Sequence, residues 1–276
     1  MEYYCSTGTF IGRINGRNHR LIIDYGPQIR CDGFEFMMND TWYDTIDTIL
    51  DDVCASGLKF PVLHADKQSG DMISSLPDEE FGKCIDLWKK NMEIAARLGS
   101  EKTVCHIWGR PDSDREPMRI FERVQRLREI SASYGVDLLS ENNACIHGSP
   151  LEHLFDYVNL DPSFGVIIDT RAAQFHRELE TIGRCKALWG NIRHIHISDM
   201  HGDYKQWDAM YPIFGPGMGD IDFGRFFRAV VENGYDNTIT LESPAMFADR
   251  VGVDTLNSYL DYIRDGIAKA ESEKNV

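Results

Sequence analysis

Eight short runs rich in apolar and β-branched residues recur along this chain, roughly every 30 to 40 residues, and stretches of helical periodicity separate most of them. The runs are YYCSTGTF (3–10), GFEFMM (33–38), FPVLHAD (60–66), KTVCHIWG (102–109), VDLLSENN (136–143), GVIIDT (165–170), IRHIHISD (192–199) and NTITLESP (237–244). A short helix in LIIDYGPQI is broken at Gly26-Pro27, and TWYDTIDTILDDVCASG has a glycine stop at Gly57. Further helices are expected from Pro77 to Gly99, in PMRIFERVQRLREISASYG, near 150–159, around 178–189 and in DFGRFFRAVVENG, while Lys67 to Ser75 reads as a loop. A last helix, about 254–272, closes the chain. Strands joined through crossover helices lie parallel, and eight units favour closure into a (β/α)₈ TIM barrel of the α/β class, a fold of about 250 residues. A single barrel domain spanning residues 1–276 is therefore expected. A doubly wound open sheet is weaker, because no run leads through Gly-x-Gly-x-x-Gly into a helix.

Composition narrows what such a barrel would meet. With 29 basic and 44 acidic residues the formal charge is −15, which repels phosphate backbones and makes nucleic acid a poor partner. The first residues, MEYYCSTGTF, lack the basic-then-apolar pattern of a signal peptide, and no apolar stretch reaches about 18 residues, so no membrane span is expected. Seven scattered cysteines without Cys-x-x-Cys spacing fit reduced thiols and a cytoplasmic location. Cys5, Cys105 and Cys145 lie near strand ends, where small buried hydrophobes are expected.

In parallel barrels chemistry sits at the carboxyl ends of the strands. Several runs here end in a polar side chain at that point: Glu141, Asp169, His196 with Asp199, and Glu242, with His64 and His106 near the exits of the third and fourth strands. Side chains alternate along a strand, so His194, His196 and Ser198 share one face and Thr238, Thr240 and Glu242 another. Singly, a strand-end acid caps a helix and a histidine in an apolar run is a satisfied core residue, the role expected of His194. Together they imply a cation, since several unpaired buried carboxylates are costly.

On these segments the chain resembles the xylose-isomerase-like TIM barrels, a superfamily of sugar isomerases and epimerases, inosose and dehydroshikimate dehydratases, and endonuclease IV. The resemblance is carried by Glu141 in LLSENN, Asp169 in IIDT, His196 in HIHISD, the segment GPGMGDIDF, and Glu242 in TLESP. It implies that Glu141, Asp169, His196 and Glu242 bind one divalent metal ion and that His64 and His106 face substrate. Glu35 in GFEFM matches a glutamate with a structural or substrate-facing role. The resemblance also allows a homo-oligomer. Departures from the family pattern are Ala172 in place of a histidine, Gly202 in place of the ketose epimerases' arginine, and the lack of the endonuclease branch's Asp-x-His. His176 and His201 lie nearby and read as exposed loop histidines.

Three carboxylates and one imidazole suit Mn²⁺ first, with Mg²⁺, Co²⁺ and Zn²⁺ as alternatives. The expected chemistry is isomerisation or epimerisation of a small carbohydrate, by proton abstraction α to a metal-bound carbonyl through an enediolate, with Glu141 and Glu242 as catalytic acid and base. The alternatives are a dehydratase on the same barrel, a phosphodiesterase acting on abasic DNA, and a non-catalytic sugar-binding barrel. Trp108, with Phe10, Trp42 and Trp207, is placed in exit loops, either as an apolar wall at the substrate or as loop packing. GPGMGDIDF is either a phosphate cradle or a plain turn into a helix capped by Asp220 or Asp222.

Overall fold

The structure, a computed structural model, describes residues 1–202 and 204–274. Eight parallel strands close into a barrel in sequence order. They are β1 (Glu2–Ser6), β2 (Gly33–Met37), β3 (Val62–His64), β4 (Lys102–His106), β5 (Asp137–Glu141), β6 (Gly165–Asp169), β7 (Ile192–Ile197) and β8 (Thr238–Leu241). Among the described residues no helix is long and apolar enough to cross a membrane.

The two-residue period of a strand divides each one between two environments. Phe34, Phe36, Leu63, Cys105, Leu138, Val166, Ile168, Ile195, Ile197, Ile239 and Leu241 point outward into one continuous core beneath the helices. Tyr4, Val62, Val104, Leu139 and Ile167, of the opposite parity, form a separate apolar floor inside the barrel. Side chains two residues further along these strands therefore point inward at the mouth. That parity aims His64, His106, Glu141 and Asp169 at one place.

The helices follow the expected order, with three differences. Residues Gln68–Ser75 form a helix rather than a loop. Its sequence, QSGDMISS, is a poor helix former, but Gly70 packs so closely on the exit of β4 that a Cβ there would lie 2.7 Å from the His106 carbonyl oxygen. Tertiary contact decides the conformation. The helix expected around 178–189 is broken into Leu179–Arg184 and Lys186–Trp189, preceded by a separate turn of helix at Thr170–Phe175. The segment 41–57 begins as a 3₁₀ turn, Asp40–Thr45, before the helix Ile46–Ala55. The stretch near 150–159 is helical, Pro150–Leu160, with Ser149 as its N-cap. The closing helix, Val253–Lys274, buries Leu256, Leu260, Ile263 and Ile267.

Candidate active site

Neighbouring strands lie about 4.8 Å apart, so on a flat sheet four consecutive strand ends would spread over roughly 14 Å. Closure and tilt of the barrel draw them together. One ligand atom from each of Glu141, Asp169, His196 and Glu242 lies within 4.8 Å of all the others, at the ends of β5, β6, β7 and β8. The register sets this up: Asp169 stands beside His196, and His196 beside Thr240, two residues before Glu242. The Glu242 amide still bonds the Ile197 carbonyl at 2.9 Å, which carries the alignment one step past the strand.

His196 is the hub. Its Nδ1 is 3.3 Å from Glu141 Oε1 and 3.4 Å from Glu242 Oε2, and its Nε2 donates to Glu35 Oε2 at 2.9 Å. Glu141 Oε2 takes His106 Nε2 at 2.8 Å and the Asn143 amide at 3.2 Å. Asp169 Oδ1 accepts the Ala172 amide at 2.6 Å, so this residue caps the next helix as well as bringing a carboxylate oxygen to the cluster. Asn142 braces Asp169 by bonding both its backbone N–H and its carbonyl.

The electrostatics are those of a site that needs positive charge. Burial opposes ionisation of Glu141, but His106 and His196 outweigh it and hold the carboxyl well below its usual range. Burial pushes Glu242 up to about 8, with His196 opposing and the charges of Glu35 and Glu141 adding to the rise. Burial likewise raises Asp169. Against the cost of burial, Glu242 and Glu35 drive the His196 imidazole to hold its proton well above the ordinary histidine range. Protons balance the cluster's charge, and a divalent ion with oxygen and nitrogen ligands would balance it in their place. The donor set fits such an ion.

Glu35 lies one layer deeper. It is fully buried, and its Oε2 receives both His196 Nε2 and His194 Nε2, the latter at 3.0 Å. Burial opposes its charge, but His196 and His194 outweigh it and keep the carboxyl ionised. Its Oε2 contacts support the structural role read from the sequence, while its Oε1 is buried without a hydrogen-bond partner and one of its oxygens lies within 4.8 Å of ligand atoms of His64 and Glu242. His194 is held by Thr238, Thr240 and Glu35, the satisfied core histidine expected of it.

His64 and His106 meet edge to face at 5.0 Å, and the His64 ring stacks over His196 at 6.1 Å. His64 is buried, its Nδ1 against the Ala65 carbonyl, whereas the His106 and Glu242 side chains keep 18% and 14% exposure and mark the open side of the site. Trp108 is not part of that opening. Its ring is buried and its Nε1 donates to the carbonyls of Asn143 and Ala144, which makes it a loop clamp. Phe10 and Trp42 are buried as well, and only Trp207 is exposed.

His176 is buried, contrary to the loop reading, and its Nε2 accepts the Cys145 amide; His201 is exposed as expected. Asp199 turns away from the cluster. Its carboxylate accepts the amides of Met200, Gly217, Gly219 and Ile221, so the glycine-rich segment is a turn organised by Asp199 and its amides are not offered to a phosphate. Asp222 caps the helix that follows, Phe223–Glu232. Asn142, Asn143 and Asp199 have roles the sequence reading did not assign. Their signal was adjacency to strand-end acids, which by itself does not distinguish a brace from a loop residue.

The profile of a family described as xylose isomerase-like TIM barrel matches residues 24–262. No curated protein sequence matches the chain. Among solved structures, a xylose isomerase-like TIM barrel/4-hydroxyphenylpyruvate dioxygenase fusion protein superposes with a TM-score of 0.76 at 16% identity. All of this chain is covered there, but only 44% of the fusion protein, so the chain spans under half of that protein's length. D-allulose 3-epimerase from Methylomonas sp. gives 0.69 at 17% identity, covering 96% of this chain and 98% of the enzyme. The 3-keto-D-glucoside 4-epimerase of E. coli gives 0.68 at 17% identity, covering 96% and 99%. At these identities the likeness establishes the fold.

Proposed function

The chain belongs to the xylose isomerase-like TIM-barrel family, and on that premise we propose that it is a divalent-metal-dependent isomerase or epimerase of a small sugar or keto-polyol. The observation that carries this reading is the convergence of Glu141, Asp169, His196 and Glu242 within 4.8 Å at four successive strand ends. Structural neighbours that are epimerases of D-allulose and a 3-keto-D-glucoside support the substrate class.

These four residues would hold the ion, Mn²⁺ first among the candidates. When bound, a divalent ion there supplies a Lewis acid for a carbonyl and its neighbouring hydroxyl. Glu141 and Glu242 come from β5 and β8 and flank the open side; one removes the proton α to the carbonyl and the other returns it. Asp169, braced by Asn142, and His196, braced by Glu35, fix the geometry. His106 and His64 orient substrate hydroxyls and donate to the oxygen on which negative charge develops.

Two measurements test the reading. Elemental analysis should find about one equivalent of a divalent metal per chain at this site, lost in a Glu141→Ala/Glu242→Ala double variant. Ketoses and polyols incubated in D₂O should gain deuterium at the carbon next to the carbonyl. No metal after soaking and dialysis, or turnover without exchange, overturns the proposal. A water-loss product would assign the same residues to a lyase.

A further inference from the structure

Behind the wall of this site lies a second group of ligand-type side chains from different loops. Asp114 belongs to the loop after β4, Cys145 to the loop after β5, and His153 to the helix Pro150–Leu160. One ligand atom of each lies within 4.8 Å of the other two. We infer that Asp114, Cys145 and His153 form a zinc site that fastens the β4 and β5 loops together at the barrel mouth.

Part of the spacing such a site needs is already present. Tetrahedral zinc, with bonds of about 2.0 Å to nitrogen or oxygen and about 2.3 Å to sulfur, sets its ligand atoms roughly 3.3 Å apart or slightly more. His153 Nε2 and Asp114 Oδ2 stand 3.3 Å apart. The Asp114 side chain is fully buried, and the amides of His147 and Gly148 bond its two oxygens at 3.1 and 2.8 Å, which fixes the carboxylate plane. The His153 ring is held edge-on by Trp108 at 5.4 Å. The chain passes over its Nε2 at Gly148, where a Cβ would come within 2.3 Å of that nitrogen, so no larger residue fits there without moving the imidazole.

Cys145 is fully buried. His176 fixes its backbone by accepting the Cys145 amide at 3.2 Å; that nitrogen is thereby engaged, and the fourth position falls to water. A mixed sulfur, nitrogen and oxygen set selects zinc over the harder ions suited to the four-residue cluster. The link to chemistry is short: Trp108 packs on His153 and bonds the Asn143 carbonyl, and Asn143 holds Glu141. Zinc would thus stiffen the wall that positions Glu141.

Cobalt(II) loading of the whole protein reads the two sites separately, because only this one contains a thiol. The expected result is two equivalents per chain and a near-ultraviolet thiolate-to-cobalt charge-transfer band. Cys145→Ser should remove the band and one equivalent. Glu242→Gln should weaken the other site and leave the band intact. His153→Gln, which keeps the thiol, should lower the affinity behind the band at least tenfold and serves if the serine variant does not fold. A single equivalent with no thiolate band, or a band that survives Cys145→Ser, overturns the inference and leaves Asp114 as a hydrogen-bond hub; failure of the four-residue site would instead show as a band with one equivalent.

Discussion

Replacing Glu35 by glutamine should weaken metal binding without touching the ion. Glu35 Oε2 receives Nε2–H from both His194 and His196, at 3.0 and 2.9 Å. That bond fixes the His196 tautomer, putting the proton on Nε2 and the lone pair of Nδ1 towards Glu141 and Glu242. A glutamine keeps the shape, accepts one N–H through its carbonyl and presents an amide donor to the other ring. Loss of such an outer partner typically weakens metal affinity 10- to 100-fold, or about 1.4 to 2.8 kcal/mol. Breaking a buried charged pair also destabilises the fold itself, by about 3 to 5 kcal/mol. Competition against a chromophoric chelator gives the first quantity and chemical unfolding of the chelator-treated protein gives the second. An unchanged dissociation constant alongside a lowered unfolding midpoint would refute the argument, because it would mean that Glu35 packs the barrel without orienting His196.

Three further outcomes are expected. Glu141→Gln and Glu242→Gln should each lower turnover by roughly 10²- to 10⁴-fold; retained activity on an identified substrate would remove the acid–base assignment. His194→Asn should cost stability on the order of 2 kcal/mol, with metal content unchanged, since its ring bonds Thr238, Thr240 and Glu35 and is not in the four-residue cluster. Loss of metal in that variant would show that the wrong histidine was taken as the ligand. Glu178 offers a pH test away from the site. Burial raises it to about 7, Ser149 and the Leu151 amide bond one oxygen, and the other oxygen is buried without a partner. A raised carboxyl stabilises the fold below its unfolded value near 4.5, and that contribution is lost as pH rises through 7. Relative to Glu178→Gln, the wild type should therefore lose on the order of 3 kcal/mol between pH 4 and 8 in urea unfolding; a difference independent of pH would contradict this.

The barrel and its mouth were legible in the sequence because both depend on local patterns. Strand parity and strand-end position suffice to bring Glu141, Asp169, His196 and Glu242 together. What escaped depends on contacts between elements. QSGDMISS is helical where Gly70 lets it sit against the β4 exit, and His176 is buried where its Nε2 accepts the Cys145 amide. Glu35 is the instructive case. The acids at 141 and 169 are the last residues of their strands, whereas Glu35 is followed by Phe36 and Met37 within β2 and pairs in register with Val62. Its depth was visible in the sequence as a position in the middle of a strand, and the resemblance left both a structural and a substrate-facing role open.

That depth also separates two polar layers that would otherwise look alike. The lower one sets a single carboxylate, Glu35, against two imidazoles and two threonine hydroxyls. Glu35 Oε2 is met by both imidazoles, while Oε1 is buried without a hydrogen-bond partner. The upper one sets Glu141, Asp169 and Glu242 around one imidazole face that they share, and the cost of burying them raises both Glu242 and Asp169. Here two imidazoles, His196 and His106, face the three acids, and protons held on His196 and Glu242 balance the charge that a bound cation would balance in the proposed enzyme. Because His196 belongs to both layers, Nε2 down to Glu35 and Nδ1 up to the acids, the lower layer orients the imidazole that the proposed metal site would use.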